Sequence, residues 1–328
     1  MAAPHIEAAE AYGPVQTGAV RVVLCVITLH RPVGLARCLH AIAALELPEE
    51  EAVDLRVVVV DNDVGCSGRR VVEQVTCPWP VDYLVEPDRG IPRARNRAVA
   101  AAAAAGADLV GFVDDDEAPE PDWLVAMLDA RRRTGAAVLM GRSVATFAEP
   151  PAPWVVEGGF FEYTRFTSGG SFPFWYARAS GILIDRTTLP VGPAVFDERF
   201  RLSGGSDLHL FSRMHGAGHR FAWVDEAVVE ETVPATRATL GWLVRRTYRY
   251  GTTSSLTLVA EGASPLRRAR RLTGAFVFTA MGLVRQLRRA GSTRVTAVRL
   301  LLQLAYGAGL VTGVFGVQYP EYRRVHGR

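Results

Sequence analysis

The sequence predicts an α/β fold, a Rossmann-like, mostly parallel sheet flanked by helices, and three observations predict it. Apolar β-branched runs recur, stretches with helical spacing separate them, and polar residues gather just after the runs. "VRVVLCVITL" (Val20–Leu29) is apolar throughout and stops before Arg31-Pro32, so it reads as a central strand buried on both faces. "GLARCLHAIAAL" (Gly34–Leu45) follows with helical spacing. "LRVVVVDND" (Leu55–Asp63) is a second strand and "VDYLVE" (Val81–Glu86) a third. "IPRARNRAVAAAAAAGA" (Ile91–Ala107) reads as a helix, with Pro near its start and Gly106 near its end, and "DLVGFVDDD" returns to strand. Between about Thr146 and Trp175 the pattern fails, as it does in substrate loops. There the aromatics Trp154, Phe160, Phe161, Trp175 and Tyr176 are suited either to stacking on a ligand or to loop packing. Order resumes with "ASGILIDR" as a strand, "DLHLFSRMHGAG" as a helix and "RFAWVDEAVVEE" as a short hairpin-like pair.

Composition narrows the function classes. With 328 residues and 49% hydrophobic content the chain can bury one large core or two modest ones, which excludes disorder. The segment from Ser264 onward holds 12 Arg against one acid, Glu321, a net of +11, which leaves −8 on the rest of a chain whose total is +3. An acidic body is therefore joined to a basic tail. Every basic residue other than histidine is Arg, which excludes a catalytic lysine. The four cysteines have no CxxC spacing and the start lacks a signal-peptide pattern, so a reducing cytoplasm is expected. Residues 1–18 read as a loose leader.

The stretch "LVGFVDDDEAP" carries the chemistry. Asp114, Asp115, Asp116 and Glu117 are consecutive at a strand end, where neighbouring carboxylates raise one another's pKa unless a cation compensates. Mg²⁺ or Mn²⁺ shared with a diphosphate would supply that cation, since such ions take one or two carboxylates and let phosphate oxygens complete the shell. The plain alternative is a solvated acidic turn before the helix of "EPDWLVAML", whose N-terminus favours acids.

Taken in order, "VITLHRP", "VVVVDND", "GIPRARNRAV", "LVGFVDDD" and "GGSDLHLFSRMHGAGHRFAWV" resemble an inverting family 2 glycosyltransferase of the GT-A fold, and within it the enzymes of succinoglycan-type exopolysaccharide synthesis. The resemblance spans roughly 21–251. It implies a nucleotide-diphosphate sugar donor, UDP-linked, and a saccharide acceptor, lipid-linked. It puts the donor base and ribose against Thr28, Arg31 and Asp61 or Asp63, with Asp114 on the ribose side and Asp115 supporting its neighbours. The metal would sit on Asp116, and Arg95 would lie near the nucleotide. Asp207 would be the general base; the family's usual acidic pair is Ser206-Asp207 here, so only the second acid is kept, and Asp207 could also serve as a helix N-cap. Where many relatives place a histidine that completes the metal shell, this chain has Glu230 and Glu231, of which strand alternation lets at most one reach the site. His209, His215 and His219 match no zinc spacing.

These implications divide the chain into the leader, a GT-A domain over 19–255 and a basic amphipathic helical tail over 256–328. In the tail, Leu272–Val284 is uncharged but only 13 residues long, too short to span a bilayer. Val295–Val317 has 23 residues, yet Thr296, Arg299, Gln303 and Tyr306 form a polar stripe at helical spacing, which suits an interfacial helix. A peripheral position on the inner face of the cell membrane is expected, with no nucleic-acid partner. A nucleotidyltransferase would need a Gly-rich phosphate loop with a basic residue, and "TLHRPVG" is not one. A non-catalytic sugar- or membrane-binding relative has only Ser206 in its favour.

Overall fold

The computed structural model describes residues 18–192, 194–201, 203–288 and 291–319. The expected leader lies outside them apart from residue 18. In chain order the elements are β1 (Val20–Thr28), α1 (Pro32–Ala43), β2 (Val53–Asp61), α2 (Arg69–Gln74), β3 (Val81–Val85), α3 (Ile91–Ala104), β4 (Leu109–Asp114), β5 (Glu117–Pro119), α4 (Trp123–Thr134), β6 (Val138–Phe147), α5 (Pro153–Glu157), β7 (Ile182–Asp185), α6 (Ser206–Gly216), β8 (Phe221–Val233), α7 (Leu240–Ala260), α8 (Pro265–Leu287) and α9 (Thr293–Val314).

Eight strands form one sheet in the order β3-β2-β1-β4-β7-β6-β8-β5. The first four are mutually parallel and carry the alternating half of the chain. Strand β7 runs antiparallel to both β4 and β6, which keeps β6 and β8 parallel to the first four, and β5 pairs antiparallel with β8 at the edge. The sheet is filled from both sides because strand side chains alternate. Val23 and Cys25 of β1 join a core with Ala94, Ala98 and Ala102 of α3 and Leu210, Phe211 and Met214 of α6. Val22, Leu24 and Val26 join the opposite core with Leu35, Leu39 and Ile42 of α1 and Trp123, Leu124 and Met127 of α4. The alanine face of α3 lets that helix lie close on the sheet.

Two expectations change here. "RFAWVDEAVVEE" is no hairpin but one 13-residue strand, β8, whose register against β6 jumps between Gly141 and Arg142. The polar pair Asp225-Glu226, which reads as a turn in sequence, is absorbed as a bulge. Gly141 makes the bulge possible: a Cβ there would lie 2.2 Å from the Ala227 carbonyl oxygen. The irregular stretch after β6 also holds structure, since α5 places Trp154 in a third apolar cluster with Phe161, Trp242, Val295 and Val298. Trp154 and Phe161 are thus packing residues, while Trp175 and Tyr176 stay exposed.

That cluster ties the tail to the body. The boundary expected at 255/256 falls inside α7, a continuous helix that packs along α9 with almost no side chain between the backbones. Gly251 would place a Cβ 2.2 Å from Tyr306 O and 2.9 Å from Gly309 Cα. The polar stripe of α9 turns partly inward: Gln303 is buried and donates to Phe278 O at 3.4 Å, and Arg299 donates to Gly158 O at 3.5 Å. Helical spacing gives a stripe its width but not its direction.

Gly251→Ala should destabilise the full chain by about 1–3 kcal/mol, because the new methyl meets backbone that cannot rotate away. Gly274→Ala, on α8 with open space around its Cβ position, should be neutral or stabilising by up to about 1 kcal/mol. Urea unfolding midpoints of the two variants would check this; equal midpoints would mean that α7 and α9 do not pack this closely.

Candidate active site

Parallel strands end together, so the register brings the candidate residues to one edge. Thr28 at the end of β1 pairs with Asp61 at the end of β2, and Ile27 pairs with Asp114 at the end of β4. This is the edge at which open α/β sheets bind ligands.

Three arginines sit among the acids. Asp115 is buried; it accepts from Thr28 Oγ1 at 2.9 Å and from Arg31 Nη1 at 2.7 Å. Asp116 Oδ2 accepts from Arg31 Nη1 and from Arg237 Nη1, each at 3.0 Å, and Arg37 donates to its backbone carbonyl. Arg95, on α3, reaches Asp114 with Nη2 at 3.5 Å. Burial alone would lower the pKa of Arg31, but Asp115 and Asp116 outweigh it and hold it above its ordinary value. The acids keep a residual strain of charge. Withdrawal from water, then the charges of Asp116, Asp115 and Asp207 working against the relief from Arg95, push Asp114 up to about 7. Its carboxylate keeps an open edge, 41% exposed, so a ligand can reach it. Glu117 is only 2% exposed; burial first and Asp114 second push it up to about 8, while Ser180 Oγ and the Asp114 amide donate to its two oxygens.

The second strand end differs. Asp61 is fully buried, and its Oδ2 accepts from Gly68 N at 2.6 Å and Tyr83 OH at 2.7 Å. Its Oδ1 has no hydrogen-bond partner among the described residues. A buried carboxylate oxygen without a donor is costly, and this one is a candidate acceptor. Asp63 is instead occupied with His30 at 3.2 Å and the Gly65 amide at 3.0 Å.

Asp207 lies in the first turn of α6. It does not cap that helix: the N-cap is Gly205, whose φ of 98° suits glycine alone. Asp207 Oδ1 accepts from Arg95 Nη1 and from Ser206 Oγ at 3.1 Å, and Oδ2 accepts from Ala179 N at 3.2 Å. Arg95 also donates to Ala179 O at 2.9 Å. The guanidinium expected near a nucleotide is therefore a buried brace that joins Asp207 to Asp114.

The two glutamates of β8 part as alternation requires. Glu230 is exposed, whereas Glu231 accepts from Tyr163 OH and lies 3.5 Å from Arg237 Nη1. Glu231 shares Arg237 Nη1 with Asp116, yet among the described residues no three His, Cys, Asp or Glu side chains are arranged to hold a metal. A hard ion still fits beside Asp114 and Asp116, because the Asp114 carboxylate keeps an exposed edge at which phosphate oxygens could complete the shell. Arg237 and Tyr163 escaped sequence reasoning. Both lie in segments without period, and the one signal for Arg237 was its place just after a strand that ends at the ligand edge.

Comparison with known proteins bears on this geometry. The family described as "Glycosyl transferase family 2" matches residues 23–183. The succinoglycan biosynthesis protein ExoM of Rhizobium meliloti (strain 1021) is 33% identical over 305 residues, covering 90% of this chain and 93% of that protein. The chain belongs to glycosyltransferase family 2. Solved structures of S. aureus TarS share the GT-A fold at 13–14% identity: TarS 1–349 superposes with a TM-score of 0.52 over 94% of this chain and 95% of that one, and its complex with UDP-GlcNAc gives 0.51. The chain spans 55% of the longer TarS chain.

The raised pKa of Glu117 has a measurable sign. An unfolded glutamate titrates near 4.3, so between about pH 4.5 and 8 the folded chain holds a proton that the unfolded chain has lost. With chelator present, stability should fall as pH rises through that window, by up to about 1.4 kcal/mol per unit, and level off above it. Asp114 adds to the same direction. Glu117→Gln, which keeps an acceptor for the Asp114 amide and lets the Ser180 hydroxyl turn from donor to acceptor, should flatten the slope in urea titrations; an unchanged slope would place the proton elsewhere.

Proposed function

We propose that this family 2 protein is a metal-dependent, inverting glycosyltransferase that moves a sugar from a UDP-linked donor to a lipid-linked saccharide on the cytoplasmic face of the membrane, in cell-surface or exopolysaccharide synthesis. The observation that carries the reading is Arg95: one buried guanidinium binds both Asp207, the candidate base, and Asp114, on the donor side. The relationship to ExoM supports the pathway class. UDP and UDP-GlcNAc in TarS complexes of the same fold support the donor class.

On this reading the free Oδ1 of Asp61 accepts from the nucleobase or ribose. Thr28 and Arg31 hold Asp115, which fixes the turn that presents its neighbours. Asp116 and Asp114 would hold a divalent ion, which when bound would supply countercharge for a diphosphate leaving group. Arg31 and Arg237, already beside Asp116, are placed to add to that countercharge from the protein side. Asp207 takes the proton of the acceptor hydroxyl as that oxygen bonds to the anomeric carbon and the bond to diphosphate breaks. Oδ2 has one donor against two on Oδ1, so it is the oxygen with room for the incoming proton. One displacement on the face opposite the leaving group inverts the anomeric centre.

A peripheral position at the membrane follows from the tail. Among the described residues α9 alone has the length and composition to cross a bilayer, yet 39% of its most apolar window is buried, which favours packing on the body over spanning.

A screen of nucleotide sugars for Mg²⁺- or Mn²⁺-dependent release of nucleoside diphosphate tests the whole reading; no release from any donor would overturn it. Asp207→Asn should lower transfer by about two to four orders of magnitude and leave UDP affinity nearly intact. Asp61→Ala should do the reverse, weakening UDP binding by about tenfold or more while a saturating donor restores much of the turnover. Calorimetric UDP titration beside steady-state kinetics separates the two, and near-normal turnover of Asp207→Asn would remove that residue from the mechanism.

A further inference from the structure

The tail leaves an apolar surface that the catalytic reading does not use. In α8 the sides that face the body are small or polar, with Ala275, Gly282 and Gln286 buried. The outward side is apolar: Phe276 is 77% exposed and Met281 69%, and Val277, Val284 and Leu287 are exposed with them. Beyond Thr293 and Arg294 at its start, the exposed positions of α9 are Ala297, Leu301, Leu304, Ala308, Val311 and, just past its end, Phe315, a helical stripe without one polar side chain. Soluble helices place polar residues on their outer side. Here both helices of a hairpin do the opposite.

Charge completes the pattern. From 264 to 317 the sequence has nine arginines and no acid. Arg267, Arg268, Arg270 and Arg271 gather at the start of α8, Arg285 and Arg288 at its end, and Arg294 at the start of α9. The uncharged 272–284 stretch thus lies between two groups of cations, about 20 Å of helix at 1.5 Å per residue. That is too short to cross a bilayer and suited to lying in its surface.

We infer that the outer face of the α8–α9 hairpin is an in-plane docking surface for an anionic lipid leaflet, with Phe276, Met281 and Val284 entering the acyl boundary and the flanking arginines meeting headgroup phosphates. This gives the acceptor half of the proposed function its surface, and it moves the lipid contact from the polar stripe of α9 to the outward sides of both helices. A second copy of the chain is the weaker occupant, since two hairpins without a single acid would bring like charges together.

Sedimentation of the full chain with vesicles tests it and needs no sugar transfer, so its failure is distinct from failure of the glycosyltransferase reading. The chain should pellet with phosphatidylcholine vesicles containing about one-third phosphatidylglycerol, be released by high salt without detergent, and bind pure phosphatidylcholine at least about tenfold more weakly. Phe276→Glu/Met281→Glu/Val284→Glu should weaken binding by about tenfold or more with an unchanged urea midpoint, because all three side chains are already exposed. Arg267→Gln/Arg270→Gln should lower binding to the anionic vesicles alone, again by about tenfold. Full binding by the glutamate variant, extraction only by detergent, or a dimer in solution that this variant dissolves without any vesicle binding by the parent would each overturn the proposal.

Discussion

Four consecutive acids at the end of β4 cannot share one strand end without positive charge, and much of the site is arranged around that repulsion. The compensation comes from arginines that are distant in sequence: Arg31 just before α1, Arg95 on α3 and Arg237 after β8. None reaches the acids unless its own element is packed, so the folded sheet and the neutralised cluster require each other. A guanidinium suits the task better than an ammonium, because its planar fork can hold two carboxylates at once, as Arg95 holds Asp207 with Nη1 and Asp114 with Nη2. The compensation is incomplete by design of the sequence. Arg178 relieves Glu117 and Arg246 stands near Glu231, yet Asp114 and Glu117 stay above the ordinary carboxylate range, and the open edge of Asp114 is where further positive charge gains most.

The candidate base depends on the same network through a different route. Asp207 stands on α6, in the half of the chain that follows the irregular segment, yet its carboxylate is fixed by Arg95 from the first half and by the Ala179 amide just before β7. Asp114 and Asp207 thereby share one brace. The turn that carries Asp207 also rests on α7, since Gly205 lies against Thr253 so closely that a Cβ would come within 2.9 Å. Tail and site are joined by that helix.

The sequence made the first half of the sheet legible because strands buried on both faces must be apolar throughout, and β1, β2 and β4 had no other reading. The acids were legible for the same reason, since polar residues at the ends of such strands have to be where ligands arrive. Asp61 stood out from Asp63 only in three dimensions, where one keeps an oxygen without a donor and the other is occupied by His30 and Gly65. β8 was misread because a bulge and a turn use the same polar residues, and Gly141, which decides between them, lies about 85 positions away. Arg95 was legible as a site residue but not as a brace, because its partner is 112 positions off. The inward turn of Gln303 was hidden for a simpler cause: a helix between two partners has no single outside.

Helix α7 has a mechanical consequence. It is one unbroken rod of 21 residues that touches the Asp207 turn near its middle and locks onto α9 backbone to backbone. A rod so held cannot shorten or tilt independently of the body. Where the α8–α9 hairpin is held therefore fixes where the Asp207 turn is held, and a force applied to one is felt at the other without a hinge between them.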